Sequence, residues 1–343
     1  MVKAWFLLFR PWSYTATLVP FLVVAGFVVG VGEVSHAHWL HGLGGIVVGL
    51  LFQATVNLLN TWGDERSGVD AVPGAIRTTP QVHDGLVSMR ALFAVALGCA
   101  GAAAVLGILL CFHRAEDACE ILVVSGGWAV NVPLLVAGFI GFLGATNYST
   151  GVAFKYHGLG VPFVSFLMGP LEMFVALALL EPSWAFYFVR LFVYGWPHTM
   201  PVVVAVGMMV VFMVFALPVA ALVGVIMHGN DMRDIPTDRA AGIVTFASWL
   251  GPRRALNYYR VCHVLPYVMS GIFLVYCVCC GEFSSLAFAL PFLALPLTIR
   301  TLRTAARVYR ENPASPPWRG LERASGKIHF VFGLLYALAW CLV

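Results

Sequence analysis

Residues 202–227, VVVAVGMMVVFMVFALPVAALVGVIM, carry no charged side chain. The segment that follows, HGNDMRDIPTDRAAGIVT (228–245), carries Asp231, Asp234 and Asp238 beside Arg233 and Arg239. An apolar run of that length has one stable fate in a bilayer: a helix, because no water is present to satisfy its backbone. Stretches able to cross about 30 Å of hydrocarbon fall at 14–31, 39–61, 89–112, 121–143, 160–181, 199–227, 257–281, 284–304 and 326–343. They predict an all-α polytopic membrane protein of nine transmembrane helices, a single domain over 1–343. With 60% hydrophobic and 10% charged residues, a soluble enzyme with a large core is excluded. Nothing in the pattern suggests a nucleic-acid partner; membrane lipid is the expected surrounding.

Charge distribution orients the chain. With nine spans, 18 of the 20 Lys and Arg fall on the side holding the N-terminus and the loops after the second, fourth, sixth and eighth spans. Only Arg114 and Arg190 fall on the other. The positive-inside rule therefore places the N-terminus and both acidic segments in the cytoplasm. The aromatic segment WAFYFVRLFVYGWPH (184–198) contains Arg190, Gly195 and Pro197 and is expected at the interface. A tenth crossing there would invert everything downstream.

A second acidic segment, NTWGDERSGVD (60–70), closes the second span as HGNDMRDIPTD closes the sixth. Both contain Asn-x-x-x-Asp, as Asn60/Asp64 and Asn230/Asp234, and both add a later acid, Asp70 and Asp238. Residues four apart share a helix face, so each pair can address one ligand. Five of the seven Asp sit in these two segments. Charges near lipid are costly and mark functional sites. Two opposed carboxylate sets suit Mg²⁺, which bridges carboxylates to substrate phosphates while keeping waters. Arg66, Arg77, Arg239 and Lys155 supply cations for a phosphate, and the apolar helices accept a lipid tail. The plainer reading makes each Asp or Arg a helix cap or interfacial partner; the doubling of the pattern argues against it.

Four stretches carry a family resemblance: RPWSYTATLVP (10–20), NTWGDERSGVD (60–70), FKYHGLGVPFVSFLMGPL (154–171) and NDMRDIPTDRAAGIVT (230–245). In order and placement they resemble the UbiA superfamily of intramembrane aromatic prenyltransferases, whose two Asp-rich motifs end the second and sixth of nine helices around a central cavity. The last stretch is similar to the branch acting on 1,4-dihydroxy-2-naphthoate, with Asn230, Arg233, Asp234, Asp238, Gly242 and Thr245 falling in its pattern. Val161 departs from that branch, which has an acid there. The resemblance implies a Mg²⁺-dependent enzyme of a cell inner membrane, making demethylmenaquinone from a polyprenyl diphosphate and an aromatic acid, with release of CO2 and diphosphate. It implies that Asp64, Asp70, Asp234 and Asp238 hold the metal and serve catalysis. Asn60, Arg77, Tyr148, Lys155, Asn230 and Arg239 would bind diphosphate.

Rival readings are a prenyltransferase for 4-hydroxybenzoate or homogentisate, a carboxylate-lined transporter, and a lipid-binding scaffold without catalysis. A transporter would place its acids at mid-membrane depth, where only Glu172 is expected. His36, His38 and His41 read as an interfacial loop. The eight Cys read as small apolar residues within spans rather than a disulfide framework. Arg300, Arg303, Arg307 and Arg310 follow helical spacing and read as a cytoplasmic extension near anionic headgroups. Trp62, Trp184 and Trp196 read as belt residues.

Overall fold

The computed structural model describes all residues except 33–35, 69–79, 115–122, 125–127, 183–201 and 282. A short helix α1 (Val2–Phe9) and a 3-10 turn (Pro11–Ser13) lead at a bend of 41° into α2 (Thr15–Val31). Then come α3 (His36–Ser67), α4 (Met89–Leu110) and α5 (Val132–Asn147). Next, α6 (Gly160–Phe166) runs through a π turn (Leu167–Leu171) into α7 (Glu172–Leu180). The second half holds α8 (Val202–Ala240), α9 (Phe246–Cys279), a 3-10 stretch (Phe283–Ala294) leading into α10 (Leu295–Glu311), and α11 (Leu321–Cys341).

Among the described residues, seven helices are long and apolar enough to cross a membrane, and the bent pair of α1 and α2 makes an eighth. The fourth expected span, 121–143, is cut short. Residues Phe112–Arg114, Val123–Val124 and Trp128–Val130 form a small antiparallel sheet in the order β1-β3-β2. Helix α5 starts only at Val132, where the Asn131 side chain accepts from Leu134 N and Pro133 occupies the first turn. Its 16 residues reach about 24 Å at about 1.5 Å per residue, short of the hydrocarbon thickness. Segment 184–198, with Trp184 and Trp196, lies outside the described residues.

Other boundaries moved for local reasons. His36, His38 and His41 belong to the first turns of α3 rather than to a loop. Helix α9 begins at Phe246 instead of 257 because Thr245 and Ser248 form a capping box, and the helix kinks at Gly251 (φ 73°) before Pro252. Cys111 and Cys262 are buried as expected, but Cys279, Cys280 and Cys341 are exposed at helix ends.

Helix α11 packs along α2 and α8, and α9 packs along α8. Small residues allow the closest approach: a Cβ on Gly26 would stand 2.1 Å from the Ala337 carbonyl oxygen. Such contacts drive helix association where lipid tails remove most of the hydrophobic effect. Around Trp340 the rings of Phe27, Phe215, Phe273 and Phe288 pack edge-on. This core fixes α2, α8, α9 and α11 as one frame. Helices α3 and α8 have 32 and 39 residues, about 48 and 58 Å at the helical rise. Both exceed the hydrocarbon thickness, so neither helix needs to bury its whole length, including the acidic C-terminal segment, in the apolar layer.

Candidate active site

Asn60 and Asp64 lie one turn apart near the end of α3. The Lys155 ammonium bridges them, with Nζ donating to Asn60 Oδ1 at 2.9 Å and to Asp64 Oδ1 at 2.6 Å. Tyr156 Oη donates to the same Asp64 oxygen at 2.8 Å, and Ser149 Oγ donates to Asn60 Oδ1 at 3.0 Å. Lys155 sits in a 3-10 turn, Phe154–Tyr156, entered through Ala153 at φ 52°. Gly63 admits this loop: a Cβ there would stand 2.7 Å from the Ser149 carbonyl oxygen and 3.0 Å from Tyr156 Oη. Burial alone would lower the Lys155 pKa, but the Asp64 carboxylate and its hydrogen bond, then Asp231 and Asp238, hold it above its ordinary value. Burial first, then the charges of Asp231 and Asp64, push the Tyr148 phenol well up. It is a neutral hydroxyl, and its oxygen has no hydrogen-bond partner among the described residues.

The end of α8 supplies the opposing set. Arg233 clamps Asp234 in bidentate fashion, Nε to Oδ1 at 2.7 Å and Nη2 to Oδ2 at 2.6 Å, and its Nη1 stands 3.7 Å from Glu322 on α11. Asp238 Oδ2 accepts from Thr245 Oγ1 at 2.8 Å, so the cap of α9 and the second acid of the motif form one unit. Asp231 is buried, and its charge is coupled to those of Asp238, Lys155, Asp234 and Asp64. The two acidic segments therefore lie within electrostatic reach of each other. A parallel backbone bridge between His157 and Val244 ties together the loops that follow α5 and α8.

Beneath them lies a cavity of about 380 Å³ whose wall includes Arg10, Asn60, Tyr148, Asn230, Arg323 and Lys327. The Asn230 side-chain oxygen is buried there without a hydrogen-bond partner among the described residues. Gln53, Val56, Leu167 and Met168 line this cavity and also a second, apolar chamber of about 360 Å³ that runs along α3 to Gly45 and Leu179. A polar head space thus opens into a hydrocarbon-lined one.

Of the sequence-predicted residues, Asn60, Tyr148 and Asn230 line this cavity, Asp64 and Lys155 join it through Asn60, and Asp234 and Asp238 lie within electrostatic reach of them. Arg239 does not: it is exposed and donates to the Ser248 carbonyl oxygen at 3.2 Å, at the kinked start of α9. Asp70 and Arg77 lie outside the described residues. Arg66 is exposed and stacks over Trp62, 4.9 Å from its centroid, and that ring packs on Phe93. Sequence reasoning missed Ser149 and Tyr156, which flank the loop that delivers Lys155. It also gave no site role to Arg233, Asp231 or Arg10, whose Nη2 donates to Thr61 Oγ1 at 3.1 Å. Asp231 could have been found, since it adjoins Asn230 within the motif.

The donor set fits a hard divalent cation. Four carboxylates whose charges repel one another lie beside two orphaned oxygens, Asn230 Oδ1 and Tyr148 Oη. No three acidic, His or Cys side chains form a closed cage among the described residues. Mg²⁺ does not require one, because it takes one or two carboxylates with waters and substrate phosphate.

The UbiA prenyltransferase family matches residues 17–319, and the chain belongs to it. Human UbiA prenyltransferase domain-containing protein 1 is 27% identical over 339 residues, covering 95% of this chain and 80% of the relative. The Drosophila melanogaster homolog is 27% identical over 349 residues, covering 99% and 80%. A UbiA homolog from Archaeoglobus fulgidus, solved with GPP and Mg²⁺, superposes with a TM-score of 0.56 at 15% identity, covering 99% of this chain and all of that one. An apo homolog from Aeropyrum pernix K1 gives 0.55 at 12% identity, covering 93% and 95%. The chain has the UbiA fold, and it is an integral membrane prenyltransferase.

Proposed function

We propose that this protein transfers a polyprenyl chain from polyprenyl diphosphate to 1,4-dihydroxy-2-naphthoate, releasing diphosphate and CO2 and giving the quinol form of demethylmenaquinone. The observation that carries prenyl transfer is the Lys155 bridge to Asn60 and Asp64, facing the acids of α8 at the mouth of a head cavity that opens into an apolar chamber. A solved UbiA homolog bound to GPP and Mg²⁺ supports the same donor and metal here.

Asp64, Asp234 and Asp238, with Asp70, would hold Mg²⁺, which supplies positive charge against the leaving diphosphate. Lys155 donates to a diphosphate oxygen, and Asn60 keeps its ammonium aimed. Tyr148 Oη would donate to a diphosphate oxygen, and Asn230 Oδ1 would face the metal or one of its waters, partners that the described residues do not give them. The bond from C1 to the bridging oxygen breaks with its electron pair on diphosphate. The electron-rich ring carbon bonds to C1, and the ring carboxylate leaves as CO2. The loop held by the His157 to Val244 bridge covers the acids and keeps water from the allylic cation.

The naphthoate acceptor rests on the pattern of Asn230, Arg233, Asp234, Asp238, Gly242 and Thr245. 4-Hydroxybenzoate and homogentisate are the competing acceptors. The positive-inside charge distribution supports a cytoplasmic site in a cell inner membrane. Purified protein stripped with EDTA should release no diphosphate from a polyprenyl diphosphate in the presence of acceptor, and Mg²⁺ should restore release. Full turnover by stripped protein would overturn the metal-bridged reading.

A further inference from the structure

The apolar chamber contains one feature that prenyl transfer does not use. Glu172 lines it at the first position of α7, directly after the π turn Leu167–Leu171 that contains Pro170. A π turn adds a residue to the helical turn and so resets the face on which the next side chain emerges; such turns concentrate at functional sites. The carboxyl lies against bare backbone on α3. A Cβ on Gly49 would stand 3.0 Å from Glu172 Oε1 and 2.7 Å from Thr17 Cγ2.

Thr17 is fully buried, and Glu172 is 9% exposed. Thr17 and Glu172 lie close enough for their side chains to interact, but Thr17 Oγ1 and Glu172 Oε2 make no hydrogen bond of normal length and angle among the described residues. Two polar atoms on adjoining side chains that pair only poorly with each other, one of them in the wall of an otherwise apolar chamber, are a place for one small hydrogen-bonding group. A water molecule fits, because it gains polar partners where the surrounding wall offers almost none.

Depth gives the site its meaning. Along α3, Gly49 lies eleven residues before Asn60, about 16 Å at the helical rise. The chamber continues past it to Gly45. A tail whose diphosphate sits by Asn60 must pass Glu172 to reach the floor, and passing strips the water without replacing its hydrogen bonds.

We propose that Glu172, with Thr17, is a specificity-determining site that holds one water molecule in the chamber wall and limits how far a hydrocarbon prenyl tail inserts. This rests on the prenyl-transfer reading above and deepens it by assigning the tail-length preference to one side chain. The ten-carbon geranyl tail ends above Glu172, whereas the twenty-carbon geranylgeranyl tail passes it. Leaving a buried polar group unsatisfied costs enough for about tenfold or more in affinity.

The test uses full-length wild type, Glu172→Leu, Glu172→Gln and Thr17→Val with geranyl, farnesyl, geranylgeranyl and longer donors. Binding is measured with prenyl thiodiphosphates, in which sulfur replaces the bridging oxygen, and kcat/KM with the diphosphates. Glu172→Leu should bind donors of twenty carbons and longer about tenfold or more tightly than wild type and leave geranyl unchanged. Glu172→Gln, which keeps a hydrogen-bonding group, should follow wild type, and Thr17→Val should shift in the direction of Glu172→Leu. If Glu172→Leu does not fold, Thr17→Val decides alone. A long-to-short ratio that is the same in all folded variants overturns the inference. Absence of transfer with every donor, with the binding ladder intact, overturns the functional reading instead; absence of binding overturns both.

Discussion

Lys155 and Asp64 are 91 positions apart in the chain and 2.6 Å apart in space. The contact joins the loop after α5 to the end of α3, and the same ammonium is electrostatically coupled to Asp231 and Asp238 on α8. One side chain therefore links both acidic segments, as a group that recognises a shared ligand must.

Replacing Lys155 with Met should raise the donor KM about tenfold or more and leave the acceptor KM nearly unchanged, because the ammonium faces the diphosphate end of the cavity. Since its pKa is raised in the fold, the stabilisation from this pairing is complete below the unfolded value of about 10.4. It is lost only as pH rises through the higher folded value. The kinetic defect should thus be flat between neutral and mildly alkaline pH. Steady-state kinetics with each substrate varied in turn read it. A defect confined to the acceptor would move Lys155 to the naphthoate carboxylate, and an unchanged donor KM and kcat would remove it from the site.

Asp64→Asn and Asp234→Asn should each lower turnover roughly 10²-fold or more, the scale of losing one element of transition-state charge stabilisation. Asp234 discriminates well, because among the described residues its side chain pairs with the adjacent Arg233. If that ion pair were its whole role, removing it would leave the nearly buried Arg233 guanidinium short of a partner and lower stability, but would spare the activity of the folded protein. Near-wild-type rates in both folded variants would reduce the acidic segments to helix caps.

Much of this arrangement was legible in the chain, and the reasons are local. Asn60 and Asp64 at helical spacing promised a shared ligand, and Lys155 reaches both. The apolar run 202–227 promised a span ending in acids, and α8 carries Asp231 to Asp238 at its C-terminal end. The small sheet was hidden because two of its strands, Val123–Val124 and Trp128–Val130, are as apolar as a span, and hydropathy does not separate a hairpin from a helix start. Arg239 was misplaced because composition identifies a cation beside acids but not where it points; its guanidinium turns to the Ser248 carbonyl. Tyr156 and Ser149 act through contacts between elements far apart in sequence, for which no spacing rule exists.

Gly63→Ala should impair the enzyme without touching any acid. Its new methyl group would stand 2.7 Å from the Ser149 carbonyl oxygen and 3.0 Å from Tyr156 Oη. The loop that delivers Lys155 must then lift. Donor affinity should fall by at least severalfold while far-UV circular dichroism is unchanged. Unaltered donor binding would mean that the loop has room to spare.

Thr245→Val should act on stability and on the site together. The hydroxyl caps α9 and donates to Asp238 at 2.8 Å. Losing an N-cap of this kind costs about 0.5–2 kcal/mol, which a lowered Tm in detergent would register, and freeing Asp238 should reduce turnover as well. Thr245→Ser keeps the hydroxyl and should stay near wild type in both; a Ser variant as impaired as Val would mean that the hydroxyl contacts are not what holds the cap and Asp238.

The most direct measurement mixes purified protein, Mg²⁺ and a polyprenyl diphosphate with a panel of 1,4-dihydroxy-2-naphthoate, 4-hydroxybenzoate and homogentisate, and follows the acceptors by mass spectrometry. The account predicts a naphthoate product heavier by the prenyl group and lighter by CO2, with one diphosphate released per product and neither appearing without Mg²⁺. A mass gain on one of the other acceptors alone would keep the prenyl-transfer chemistry and replace the substrate. No prenylated product from any acceptor, with folded protein that binds the donor, would contradict the central claim.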